Sequence, residues 1–222
     1  MNISAWLWRI SKKLSRKNIY EFLSEQLLLI APNSIVLNVG SGGGIEEHIF
    51  HLNIDKRFTL ISSDIDPLRH PDVVDDIVCS SFQDDFFDTI IIMEVLEHVA
   101  DPVRAGKEIH RILKSGGRVI LSVPFIFPLH DRPYDFYRFT KYGLAHIFRE
   151  FDHLEIRERN SWTETILVLL VRLIGEPHRQ VKIVSSMFLP IIFVCVPIFV
   201  LIAKLFPTDF ITTGYVVSAV KR

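Results

Sequence analysis

The sequence predicts an α/β protein: a doubly wound, mostly parallel sheet with helices on both faces. Three observations predict it. Short apolar runs rich in Val, Ile and Leu recur at 35–39, 58–61, 89–93 and 119–123, and continuous runs of that length suit strands buried on both sides. Longer segments between them have the length and end signals of crossover helices, which parallel strands require. The first run feeds straight into Gly40-Ser41-Gly42-Gly43-Gly44, a turn in which backbone can approach a ligand closely at the end of a strand.

Each element follows in order. A helix over 20–29 ends before Pro32-Asn33, because proline cannot continue it. Strand one is 35–39. The helix opening near Gly44 would present free N–H groups to the polar end of a ligand. Strand two covers 58–63 and ends in Ser62-Ser63-Asp64; a carboxylate there suits the paired hydroxyls of a ribose. Strand three is short, at Val73-Val74. Strand four, 89–93, runs into Glu94-Val95-Leu96-Glu97-His98-Val99. A helix over 102–113 stops at Ser115-Gly116-Gly117. Strand five covers 118–123, a helix lies near 140–150, strand six lies around 154–159, and strand seven at 215–220 closes a seven-stranded sheet.

The order of these motifs resembles the class I S-adenosylmethionine-dependent methyltransferases, in the type 11-like group that carries EVLEHV. The matching stretches are VLNVGSGGG, the acid of SSDID, Asp-Ile ahead of FQDDFFD, EVLEHV and RILKSGGRVILSVP. They span residues 34–160, with the last strand in addition. The resemblance implies a Rossmann-like fold with an antiparallel final strand. It implies S-adenosylmethionine as cofactor, with Gly40, Gly42 and Gly44 around its carboxypropyl end and Asp64, or Asp66 two residues on, at its ribose. It places Asp76 and the Ile77 backbone N–H at the adenine and Glu94 beside the cofactor. The chain departs from the family at Asn38, where Asp is usual; Asn keeps hydrogen-bonding capacity and loses a charge.

Glu94, Glu97 and His98 are spaced to share one face of a helical turn at the carboxyl edge of the sheet. The pattern is similar to that of metal-dependent methyltransferases, which hold a divalent ion with two Glu and two His. His130, in the loop after strand five, supplies the fourth donor, and Mg²⁺, Mn²⁺ or Zn²⁺ suits such oxygen and imidazole ligands. In the alternative without metal, Glu97 and His98 serve hydrogen bonding, and His130, with His98, is the catalytic base. The loop from Pro124 to Thr140 is rich in proline and aromatics. Within it Asp135 and Arg138 either grip an anionic acceptor or pair with each other to shape the loop.

The net charge of −1 implies no bulk attraction to nucleic acid, and two cysteines support neither a disulfide framework nor a zinc knuckle. Charge and hydropathy are uneven along the chain. Residues 1–30 form a separate helical segment ahead of a methyltransferase domain at 31–222. Its first part interleaves Trp6, Leu7, Trp8, Ile10 and Leu14 with Arg9, Lys12, Lys13, Arg16 and Lys17, a pattern that lies on anionic membrane surfaces or caps the sheet. An apolar helical insertion at about 163–206 precedes the last strand. From Ile183 to Ala203 it holds no charge, between Lys182 and Lys204, and it contains Pro190 and Pro197. Its length permits a span. A span would leave strand seven on the wrong side, so a hairpin dipping into one leaflet fits better; a buried helix or a dimer contact is the alternative. The expected protein is a cytoplasmic methyltransferase, peripheral or monotopic at the cytoplasmic membrane face. Its acceptor is a hydroxyl on a small amphipathic or lipid-linked molecule, and a homo-oligomer is compatible with the sequence. The competing reading is a methyltransferase-like binding module without catalysis.

Overall fold

The computed structural model describes residues 16, 18–53, 55, 57–172, 194, 197–198 and 201–222. The basic-aromatic stretch 1–15 and most of the uncharged run 183–203 lie outside the described residues. Among the described residues no helix is long and apolar enough to cross a membrane.

The architecture is a Rossmann-like seven-stranded sheet flanked by helices, with helical residues inserted before the last strand. The strands are β1 (Ile35–Val39), β2 (Thr59–Asp64), β3 (Val73–Val74), β4 (Phe87–Met93), β5 (Leu113–Pro124), β6 (Phe151–Glu158) and β7 (Gly214–Lys221). Their order across the sheet is β3-β2-β1-β4-β5-β7-β6. β1 pairs in parallel with β2 and β4, and β4 with β5. β7 is antiparallel to both β5 and β6.

Successive residues of β1, β4, β5 and β7 divide between two cores. Val36, Ile91, Ile120 and Val216 face Ile19, Phe22, Leu23 and Leu27 of α1 (residues 18–28) and Ile49 of α2 (Gly43–Leu52). Leu37, Ile90, Leu121 and Val217 face Ala105, Ile109 and Ile112 of α3 (Pro102–Ile112) and Leu144 of α4 (Lys141–Ile147). This period-two split explains why the strands read as unbroken apolar runs. Local signals start the helices. Asp101 accepts the Arg104 N–H with Pro102 in the first turn, and Thr140 accepts the Gly143 N–H. A further helix, α5 (Trp162–Arg172), opens the insertion, and residues 201–205 are helical near its end.

Strand five begins earlier than its apolar run predicts. Leu113 already pairs with Phe87, whereas Arg118 pairs with Thr89. Residues 114–117 therefore bulge outward opposite Asp88, with Gly116 in the left-handed region at φ 76°. Lys114 Nζ meets the Asp88 carboxylate at 2.8 Å, which ties the bulge down. Strand six is also longer than predicted, at Phe151–Glu158.

Chain direction across the sheet reverses between β1 and β4. Ligands of open α/β sheets bind at such a switch point, beyond the carboxyl ends of the strands. The glycine loop follows β1 and the Glu94–His98 stretch follows β4, so both stand at that crevice.

Candidate active site

The glycine loop is fixed by backbone geometry. Gly40 has φ 85°, and a Cβ built on it would lie 2.4 Å from Val95 Cγ2. No side chain fits there, and the β1 and β4 loops abut as a result. Gly40 N–H donates to the Ser63 carbonyl at 2.8 Å. Gly42 and Gly43, at φ 88° and 76°, face open space instead. Their missing side chains leave room in front of the α2 N-terminus. Gly44 packs against the Tyr20 hydroxyl of α1.

Two buried polar atoms wait beside this opening. Asn38 Nδ2 and Ser41 Oγ have no hydrogen-bond partner among the described residues. Orphaned buried groups are costly unless a ligand completes them. Asp64 is buried; its Oδ1 accepts the Asp66 N–H at 2.9 Å, and its Oδ2 lies 3.7 Å from Arg69 Nε. Asp66 itself caps the turn Pro67–Arg69 by accepting the Leu68 N–H. Asp76 accepts the Val78 N–H at 3.0 Å, and Ile77 is buried in the core. The neighbouring acids have other work: Asp72 binds Ser62, and Asp75 binds Ser81. The open glycine cradle, the orphaned amide and hydroxyl, and a buried acid at the end of β2 fit S-adenosylmethionine.

A second group stands across the crevice. Glu97, His98 and His130 bring one donor atom each to within 4.8 Å of one another. Glu97 is fully buried, and neither of its carboxylate oxygens has a hydrogen-bond partner among the described residues. His130 Nε2 lies 3.7 Å from Glu97 Oε1, and His98 Nε2 lies 3.9 Å from it. Burial pushes the Glu97 carboxyl above the ordinary carboxylate range; His130 opposes this and the Glu94 charge adds to it. The Glu97 carboxylate in turn raises His130 above the usual imidazole value against the effect of burial, with Asp135 and Asp131 adding.

The loop after β5 aims these rings. His98 Nδ1 bonds the Tyr134 carbonyl at 2.9 Å, which turns Nε2 toward the centre. Asp135 accepts the His130 backbone N–H at 2.9 Å and sits 3.4 Å from its Nδ1. Arg138 holds both Asp135 oxygens, at 2.6 and 2.7 Å. The loop-shaping alternative for that pair is the one the geometry displays. Burial would raise the Asp135 carboxyl, but Arg138 and the His130 N–H outweigh it and hold it at about 2.

Glu94 is brought to the crevice but engaged differently from Glu97. It sits at φ 57°, and its Oε1 accepts from Ser122 Oγ and from Arg159 Nη1, both at 2.9 Å. It does not join the three-donor group. Sequence reasoning missed Arg159 and Ser122, which hold Glu94, and Ser41 in the glycine loop. A serine within the apolar run VILSVP was the one available signal for Ser122; nothing in the charged run around Arg159 marks it.

A family model described as a methyltransferase domain matches residues 10–163. The chain belongs to that family, and it is an S-adenosylmethionine-dependent methyltransferase. A methyltransferase from Archaeoglobus fulgidus is similar at TM-score 0.61 and 16% identity, over 93% of this chain and 94% of that one. The [4+2]-cyclase SpnF is similar at 0.57 and 15%, over 90% and 80%. Phosphoethanolamine N-methyltransferase 2 of Haemonchus contortus, solved with S-adenosyl-L-methionine, is similar at 0.57 and 13%, over 93% and 52%. At these identities the likeness shows the fold alone, and the cyclase shows that this fold also hosts other chemistry. No curated protein matches the sequence.

Proposed function

We propose that the chain O-methylates a small amphipathic or lipid-linked acceptor at the cytoplasmic face of a membrane, as a member of the type 11-like group. Gly40, Gly42, Gly44, Asp64, Asp76, Ile77 and Glu94 would border the cofactor, and the Glu97–His98–His130 group would deprotonate the acceptor. The observation that carries the reading is that group: a buried carboxylate with no hydrogen-bond partner, facing two imidazoles.

Bound S-adenosylmethionine supplies an electrophilic sulfonium methyl. Transfer is an in-line displacement, so the chain's main work is positioning and exclusion of water. A hydroxyl acceptor must also lose its proton. His130 Nε2 is the acceptor of that proton, with Glu97 stabilising the imidazolium that results and Asp135 fixing the ring from behind. Because His130 is raised above its usual value of about 6.5, activity rises with pH through that raised value.

One observation favours a second form of the same chemistry. Both Glu97 oxygens are unsatisfied in a buried position, and the His98 Nδ1–carbonyl bond is the kind of contact that orients a metal-binding imidazole. Glu97, His98 and His130 would hold a divalent ion, which lowers the pKa of a bound hydroxyl; Glu94 would join only by leaving Arg159.

The test supplies methyl-labelled S-adenosylmethionine with a total membrane lipid extract and, separately, with water-soluble phenols, with and without chelator. Label in a lipid-soluble product that survives mild alkali and is released as methyl iodide by hydriodic acid is an ether methyl and supports the reading; label that resists both treatments is on nitrogen or carbon and overturns it. Label released by alkali is an ester and overturns O-methylation of a hydroxyl. Restoration by Mn²⁺ after chelation selects the metal form.

A further inference from the structure

A phenol from outside the sheet reaches the glycine loop. Tyr20 lies on α1, and a Cβ built on Gly44 would meet its Oη at 2.9 Å. Gly44 is the second residue of α2, so the hydroxyl stands against the first turn of that helix. The ring is held in place. It meets the His48 ring edge to face, with centroids 5.0 Å apart. His48 Nε2 lies 2.8 Å from Ser24 Oγ, which donates to the Tyr20 carbonyl at 2.7 Å. The hydroxyl itself makes no hydrogen bond among the described residues, although a Tyr O–H packed against protein usually finds a partner.

Asn38 joins it from the sheet. Val36 faces α1 and α2, and Asn38, two residues on, shares that face near the end of β1. Asn38 is 1% exposed, and its Nδ2 has no partner among the described residues. The first turn of α2 adds backbone N–H groups with no carbonyl ahead of them. Glu46 takes only the Gly42 N–H, at 2.5 Å and on the exposed side. A phenol O–H, a side-chain amide and helix N–H groups are all able to donate. Such a set selects a carboxylate over an ammonium, and S-adenosylmethionine carries both at its amino-acid end.

We infer that Tyr20 Oη donates to the amino-acid carboxylate of the cofactor, with Asn38 Nδ2 as the second side-chain donor to that group. The inference rests on the cofactor placement proposed above and adds to it a residue of α1, outside the glycine loop. It also gives Asn38 a purpose. Asn donates where Asp only accepts, and an Asp there would set a second carboxylate against the first. In this chain a return to the residue usual in the family should therefore harm cofactor binding.

The test is calorimetric titration of wild type, Tyr20→Phe and Asn38→Asp with two ligands, beside thermal melts of the cofactor-free proteins. The ligands are S-adenosylmethionine and decarboxylated S-adenosylmethionine, which lacks only the carboxylate. Wild type should bind the decarboxylated ligand about tenfold or more weakly. Tyr20→Phe should lose about tenfold for S-adenosylmethionine, stay within about twofold for the decarboxylated ligand, and melt with wild type. Asn38→Asp should lose affinity for S-adenosylmethionine and not for the decarboxylated ligand. If Asn38→Asp does not fold, Tyr20→Phe decides alone. Tyr20→Phe that binds S-adenosylmethionine like wild type overturns the inference. Equal losses for the two ligands also overturn it, since the hydroxyl then acts through its packing on Gly44. Wild type that does not distinguish the ligands overturns it and leaves the cofactor reading standing. Folded wild type that binds neither ligand overturns both.

Discussion

The two sides of the crevice are built differently. On the β1–β2 side, function rests on what is missing: three glycines with positive φ, two of them facing open space. On the β4–β5 side it rests on polar side chains brought together from distant parts of the chain, Glu94 with Arg159 and Glu97 with His130. The first side is shaped by backbone strain that only glycine tolerates. The second depends on charge, and its close ion pair, Glu94 with Arg159, is intolerant of losing one partner. A cofactor side that depends on space and an acceptor side that depends on charge should fail in different ways when altered.

The largest effect is expected from Arg159→Met. It leaves the half-buried Glu94 without its cation, at a cost of about 3 kcal/mol, because the Arg159 side chain that holds it is only 1% exposed. Chemical denaturation should report the loss, and adding Glu94→Gln should recover part of it. No recovery would mean that Arg159 acts through its packing and backbone neighbours rather than through Glu94. Gly40→Ala comes next, at about 2–3 kcal/mol. It combines the strain of a side chain at φ 85° with a clash against Val95. Its signature differs, since cofactor affinity should fall along with stability. A variant that binds normally would show that the β1 loop has slack and would weaken the contrast between the two sides.

That contrast also explains what the sequence made legible. The glycine loop, Asp64 and the Glu97–His98 pair are local signals: each motif follows its strand within a few residues. The antiparallel β7 came through the family resemblance, since hydrophobic periodicity carries no direction. Arg159 was invisible because its partner lies 65 residues away, and a charged residue in a polar run ordinarily reads as solvated. The bulge at 114–117 hid the true start of β5, because the glycines that make it look like a helix stop. Asp135 and Arg138 were readable as a pair, and their role in holding His130 was not, because it passes through a backbone N–H.

Glu97→Gln separates stability from turnover. A carboxyl raised above its ordinary value stabilises the fold most when protonated, below about 4.3, and that contribution is lost as pH rises through its raised value. At pH 8 the Gln variant should therefore melt at the same temperature as wild type or higher. Turnover should fall about 100-fold, or roughly 2.7 kcal/mol, with cofactor affinity within a factor of two or three. A variant that is both stable and fully active would remove Glu97 from the reaction.

Asp135→Asn is the smallest of the four and the most diagnostic of the acceptor side. Asp135 titrates at about 2, below the ordinary value near 3.9. A depressed carboxyl contributes stability that is fully present above its unfolded value and lost as pH falls through the folded one. The Asn variant should be less stable than wild type by about 2 kcal/mol at pH 7. That gap should narrow between pH 4 and pH 2, followed by thermal melts at each pH. Cofactor binding should be unaffected, because Asp135 holds His130 and Arg138 and nothing on the glycine side. Turnover should fall with its pH dependence displaced downward, since His130 loses one of the carboxylates that raise it. A gap that stayed constant across the acid range would mean that the carboxylate charge is not what holds the loop. Lost cofactor affinity would mean that the two sides are coupled after all.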